Sequence, residues 1–166
     1  MAEKNQVLKW KFETGDDVSS DPTLSDGVVY FGSDDNHLYV LDAKTGEEKW
    51  KFETGDGVYS SPALSDGVVY FGSDDNHLYA LGAKTGEEKW KFKTGDSVQS
   101  SPAVVDGTVY FGSWDNHLYA VDEKTGEEKW KFKTGDRVSS SPAVVDGVVY
   151  FGSWDNHLYA LDTKTS

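Results

Sequence analysis

The chain of 166 residues contains no cysteine. Disulfide scaffolds, cysteine-ligated zinc centres and thiol chemistry are therefore excluded. Positive charge is scarce: 16 Lys and Arg stand against 29 Asp and Glu, a formal net charge of −13. A surface of that sign repels phosphate backbones and anionic lipid, so nucleic acid is not an expected partner. No apolar run approaches the roughly 18 residues that span a bilayer, so membrane insertion is not expected. The polar opening Met1–Gln6 predicts no signal peptide, and the chain as written is expected to be soluble and cytoplasmic. No 12-residue window carries a helical apolar period. Aromatic residues are plentiful at 14%, and their burial argues against disorder.

What is present is repetition. Trp10, Trp50, Trp90 and Trp130 stand 40 residues apart, as do Tyr30, Tyr70, Tyr110 and Tyr150, and His37, His77, His117 and His157. No insertion breaks the register. Repeats of about 10–49, 50–89, 90–129 and 130–166 are read as one domain over 1–166, with 7–14 as a closing outer strand. A 40-residue period of β-type composition points to propeller blades rather than helical solenoids.

Each unit reads as four short strands. In the third copy they are expected over Ser100–Val105, Thr108–Ser113, His117–Asp122 and Glu127–Lys133. The gaps carry Asp106-Gly107, Trp114-Asp115-Asn116, Lys124-Thr125-Gly126 and Thr134-Gly135-Asp136, residues that supply the positive φ angles of tight hairpins. The second strand, Val-Val-Tyr-Phe-Gly in three copies, is apolar on both faces, as a blade between two other blades requires. Pro22, Pro62, Pro102 and Pro142 recur near the start of the first strand, where proline is tolerated.

The segment Ala120-Val-Asp122-Glu-Lys-Thr125-Gly126-Glu-Glu-Lys-Trp130 resembles the tryptophan-docking motif of quinoprotein-type (pyrroloquinoline-quinone-like) β-propellers. Val40 replaces the Ala in the first copy, Gly82 replaces the Asp in the second, and the last copy stops at Thr165-Ser166, before its Trp. The resemblance covers nearly the whole chain. It implies an all-β propeller of four-stranded antiparallel blades, four per chain. It also implies that Trp10, Trp50, Trp90 and Trp130 dock structurally on a neighbouring blade, across the turn glycines Gly46, Gly86 and Gly126. Members of this family are often periplasmic. Trp-Asp pairs occur only at Trp114-Asp115 and Trp154-Asp155, in turns of two copies, so the WD-repeat class does not fit.

The chain opens on an outer-strand sequence, Val7–Thr14, and its last unit ends after a third strand. Either one chain closes on itself as a four-bladed ring, or two chains complete each other as an eight-bladed homodimer. The resemblance favours the dimer, because quinoprotein-type propellers are typically eight-bladed. Near-identity of the copies, even at Lys44, Lys84, Lys124 and Lys164, fits very recent amplification or a symmetrised, engineered consensus.

Function is expected where the copies differ. The most varied positions are Asp17, Gly57, Ser97, Arg137 and Ser19, Tyr59, Gln99, Ser139, while Asp21 stands where the others have serine. Blade topology places these beside positions 34–37 on one rim at the channel mouth. The rim candidates are Asp17, Asp21, Tyr59, Gln99, Arg137, Trp114 and Trp154, a face for a peptide, protein or small ligand. The Asp-Asn-His turns invite a metal reading, but each offers too few ligands for Zn²⁺ or Ca²⁺, so no metal is expected. No unique nucleophile–base pair, phosphate loop or carboxylate pair exists, and quinoprotein chemistry resides on insertions this chain lacks. No cofactor and no catalytic residue is expected.

Overall fold

The computed structural model describes residues 6–164. Met1–Asn5, which begin the polar opening, and Thr165-Ser166, where the truncated motif ends, lie outside them. The described residues hold fifteen β-strands and no helix. The first sheet is β1 (Thr23–Ser25), β2 (Val28–Gly32), β3 (His37–Asp42) and β4 (Glu48–Glu53). The second is β5 (Ala63–Ser65), β6 (Val68–Gly72), β7 (His77–Gly82) and β8 (Glu88–Lys93). The third is β9 (Ala103–Val105), β10 (Thr108–Gly112), β11 (His117–Asp122) and β12 (Glu128–Lys133). The last has three strands, β13 (Ala143–Val145), β14 (Val148–Ser153) and β15 (His157–Asp162). Every pairing is antiparallel between sequence neighbours, giving four stacked blades.

Turn chemistry sets this map. Asp106 (φ 49) and Gly107 (φ 75) both take positive φ, the condition for a two-residue hairpin between β9 and β10. The two central strands of each interior blade are buried on both faces. Val69, Phe71, Leu78 and Leu81 are fully covered, and Val109, Phe111, Leu118 and Val121 repeat them one blade on. Three of the four apolar clusters mix two blades, and the fourth joins the first blade to Trp10 and Phe12. Phe52 of β4, for instance, meets Phe71 and Tyr79 of the next blade at centroid distances of 6.4 and 5.4 Å.

The inner strands are shorter than expected. In the third copy pairing starts at Ala103 rather than Ser100, and the flanking strands run over Thr108–Gly112 and Glu128–Lys133. Ser100 spends its hydroxyl across the blade junction instead, donating to the Ser140 carbonyl at 2.9 Å, and Pro102 has no amide to give a ladder.

The blades form an open arc. Neighbouring inner strands touch in the order β1–β5–β9–β13, but β13 and β1 do not meet. The chain therefore does not adopt the self-closed four-bladed ring. Residues 7–14, expected as a closing outer strand, form no strand within the chain, because the three-stranded sheet lies at the far end of the arc. They are nonetheless seated. Phe12 lies 5.4 Å from Tyr39 and Trp10 donates its indole N–H to the Ala43 carbonyl at 3.0 Å, as Phe52 and Trp50 do one blade later.

Candidate functional site

A carboxylate clamp builds the rim. In the first blade Asp35 Oδ2 accepts the Tyr39 hydroxyl at 2.6 Å and the Gly15 amide at 2.7 Å, and Asp35 Oδ1 lies 3.2 Å from His37 Nδ1. Asp75, Asp115 and Asp155 repeat the arrangement. The clamp ties the loop entering a blade to the turn between its second and third strands. Burial pulls Asp35 upward, but the Tyr39 hydroxyl, the Gly15 amide and His37 together leave it below its ordinary pKa. Burial and the same carboxylate push Tyr39 upward. These turns, attractive as metal ligands in the sequence, thus use their Asp and His internally. The described residues contain no group of three or more His, Cys, Asp or Glu placed to hold a metal ion.

On that frame the varied positions do share one rim. The Asp34 amide donates to the Asp17 carbonyl at 2.9 Å, Asp74 to Gly57, Trp114 to Ser97 and Trp154 to Arg137. The rim column at 34, 74, 114 and 154 therefore reads Asp, Asp, Trp, Trp around the arc. The two ends differ in chemistry.

On the acidic half, Gln99 Nε2 donates to Asp74 Oδ2 at 3.1 Å. Burial raises the Asp74 pKa, with Asp56 and Asp34 adding to the shift and the hydrogen bonds from Gln99 and Ser97 opposing it. Burial and the Asp34 and Asp74 carboxylates likewise raise the Tyr59 phenol. Asp34 Oδ1 and Asp74 Oδ1 are buried without a hydrogen-bond partner among the described residues. On the aromatic half, Trp114 and Trp154 lie 6.0 Å apart, and the Arg137 guanidinium stands 4.1 Å from the Trp114 centroid and 5.5 Å from that of Trp154. Tyr59 and Gln99 thus gather with the acidic pair, and Arg137 with the two tryptophans. Asp17 and Asp21 stand exposed at the first blade, with the Asp17 carbonyl holding the Asp34 amide. Sequence reasoning placed positions 34–37 and their copies on the rim but did not name Asp34 and Asp74 among the binding candidates, although their alignment with Trp114 and Trp154 in the repeat was the available signal.

The repeated tryptophans sit at blade junctions. Trp50 Nε1 donates to the Ala83 carbonyl at 3.2 Å, Trp90 to Glu123 at 3.1 Å and Trp130 to Thr163 at 3.3 Å. Trp10, Trp50 and Trp90 press so close to Gly46, Gly86 and Gly126 that a Cβ there would meet ring atoms at 2.6, 2.8 and 2.6 Å. The inner edge is tied by a serine belt: Ser20 donates to the Ser60 carbonyl, Ser60 to Ser100 and Ser100 to Ser140.

This architecture is that of a β-propeller scaffold. The chain belongs to the family described as outer membrane protein assembly factor BamB, which matches residues 4–101 and again 83–166. Among solved structures it is similar to BamB from Moraxella catarrhalis, with 24% identity and a TM-score of 0.82 over 93% of this chain. It spans about half of that relative, 49% of its length. The computationally designed Ika4 protein matches with 18% identity and a TM-score of 0.86, over 96% of this chain and 99% of Ika4. A quinohemoprotein alcohol dehydrogenase from Pseudomonas putida HK5 matches with 25% identity and a TM-score of 0.76, over 87% of this chain and 29% of the enzyme. Comparison with curated proteins gives no match.

Proposed function

We propose that the chain is a non-catalytic scaffold that assembles by strand exchange, two copies closing one eight-bladed ring. The observation that carries this reading is where the apolar surface lies. All eight exposed large hydrophobic residues among those described belong to the two ends of the arc: Val7, Leu8, Val18 and Leu24 at one, Val145, Tyr150, Trp154 and Leu158 at the other. The counterparts of Val18 and Leu158 inside the arc are fully covered. Val18 is 50% exposed whereas Val58, Val98 and Val138 are 0%, and Leu158 is 78% exposed whereas Leu38, Leu78 and Leu118 are 0%. Two faces of this kind are complementary, since each interior junction already joins the same pair of surfaces.

The repeat supplies a register for the exchange. His37 pairs with Glu53, Leu38 with Phe52, Tyr39 with Lys51 and Val40 with Trp50. Carried one step past the last blade, β15 would pair His157 with Glu13 of the partner subunit, Leu158 with Phe12 of the partner subunit and Ala160 with Trp10 of the partner subunit. Asp21 also finds a role. The Ser61 and Ser101 amides donate to the Ser101 and Ser141 hydroxyls of the next blade, so the Ser141 amide would donate to Asp21 of the partner subunit.

The groups at the channel mouth do not fit a quinone with its cation. No described cluster holds a metal, and the one arginine there is already stacked on tryptophan. They suit binding, which is the second reading. It is favoured by the unpaired Asp34 and Asp74 oxygens and by Trp154, 57% exposed. Light scattering tests the assembly. A mass near twice 18.4 kDa supports it, and a monodisperse species of 18.4 kDa sinks it.

A further inference from the structure

We infer that each of the two seams of the ring holds a binding site for a guanidinium group, the side chain of an arginine in a partner peptide. The inference rests on the assembly proposed above and names what its rim would take. The chain carries its own template for this recognition. Arg137, one blade beyond Trp114, places its guanidinium 4.1 Å from the Trp114 ring centroid. A cation over an indole face is held by the ring quadrupole, and a planar guanidinium stacks there better than an ammonium.

Trp154 occupies the same place one blade on and is 57% exposed. Positions 17, 57, 97 and 137 are equivalent in the repeat, so the residue that follows Trp154 across a seam is Asp17 of the partner subunit. Where Trp114 meets a guanidinium, Trp154 would meet a carboxylate. Asp34 of the partner subunit would stand beside Trp154 as Trp154 stands beside Trp114. The buried Asp34 Oδ1 has no hydrogen-bond partner among the described residues, although the carboxylate also faces the Tyr59 phenol. At the seam two carboxylates stand where the next blade would supply the cation, while Arg137 of the same blade stays more distant, 5.5 Å from the Trp154 centroid. A guanidinium can stack on the ring and fork onto a carboxylate at once, which an ammonium cannot.

The test titrates the protein with N-acetyl-arginine amide, a monocation, at low salt. Indole N–H signals are followed by NMR, and the mass is measured by light scattering on the same sample. The expected result is a saturable shift of one indole signal, one ligand per chain, with N-acetyl-lysine amide at least tenfold weaker. Asp17→Arg would set a built-in guanidinium where Arg137 stands in the interior. It should abolish binding while the dimer mass is kept, and Trp154→Ala should abolish binding too. A dimeric protein that shows no saturable binding overturns the site and leaves the ring standing. Binding that survives Asp17→Arg overturns the assignment to the seam. A protein that stays monomeric overturns the assembly and this site with it.

Discussion

The indole of Trp90 lies against Gly126 so closely that a Cβ on the glycine would stand 2.6 Å from Trp90 Cδ2. Gly126 also has φ +74, which an L side chain adopts only under strain. The turn and the ring therefore depend on each other. Trp90→Ala empties a site shared by two blades and should cost about 3–5 kcal/mol. Gly126→Ala should cost on the order of 2 kcal/mol, from the backbone penalty and the displaced ring. Denaturant titration of both variants checks this, and a loss under about 1 kcal/mol for Trp90→Ala would contradict the packing.

Leu158 gives the sharpest handle on assembly, because it is 78% exposed in the single chain and sits on the face a second copy would cover. Leu158→Glu should leave the fold of one chain intact, since the residue packs on nothing there. It should weaken dimerisation at least a hundredfold, because a carboxylate would have to be buried at the seam. Each chain carries a net charge of −13, so two copies repel. Added salt should tighten the wild-type dimer in sedimentation or dilution experiments.

Much of this was legible in the sequence, because the strand map rests on local chemistry. Asp106-Gly107 takes the paired positive φ angles that the dipeptide suggests, and Val-Val-Tyr-Phe-Gly is buried on both faces as its continuous apolarity implied. The tertiary features were not legible. Ser100 looks like any strand residue until its hydroxyl is seen reaching the next blade. Asp35 looks like a ligand until Tyr39, four residues away, is seen to use its carboxylate. The opening of the arc depends on the angle between whole blades, a sum over many side-chain volumes that no single residue reports.

Acid should loosen the rim clamps. Asp155 is held down to about 2, chiefly by the Tyr159 hydroxyl, with the Gly135 amide and His157 helping against desolvation. A carboxyl whose folded pKa lies below its unfolded value of about 4 stabilises the fold above that value, and the contribution disappears as pH falls toward 2. The melting temperature should drop across that window. In Asp155→Asn it should be lower at neutral pH and vary less between pH 4 and 2, which thermal melts on a pH series would show.

Asp74 should behave in the opposite sense. Burial raises its pKa, with like charge from Asp56 and Asp34, against hydrogen bonds from Gln99 and Ser97. A carboxyl raised in the folded state binds its proton more readily there, so ionisation destabilises the fold as pH rises through the raised value. Asp74→Asn keeps an oxygen for Gln99 and removes the charge. It should raise the melting temperature at pH 7 and leave it unchanged near pH 3, and a variant less stable than wild type at pH 7 would contradict the assignment.

Gly82 is the one repeat position where a stabilising change can be read directly. In its counterparts Asp42 and Asp122, Oδ1 accepts two backbone amides, from Lys44 and Thr45 at 2.9 and 2.9 Å and from Lys124 and Thr125 at 2.9 and 3.0 Å. Those bonds cap the turn that leads to the docking tryptophan. At position 82 the amides of Lys84 and Thr85 have no such acceptor, and a glycine ends the strand at extra entropic cost. A Cβ there would stand 2.7 Å from Thr85 Oγ1, a hydroxyl that can turn and that already coexists with Asp42 in the first blade. Gly82→Asp should therefore stabilise the chain by on the order of 1 kcal/mol at pH 7. The gain should fade below pH 4 as the new carboxylate is protonated, which separates capping from a simple loss of backbone freedom.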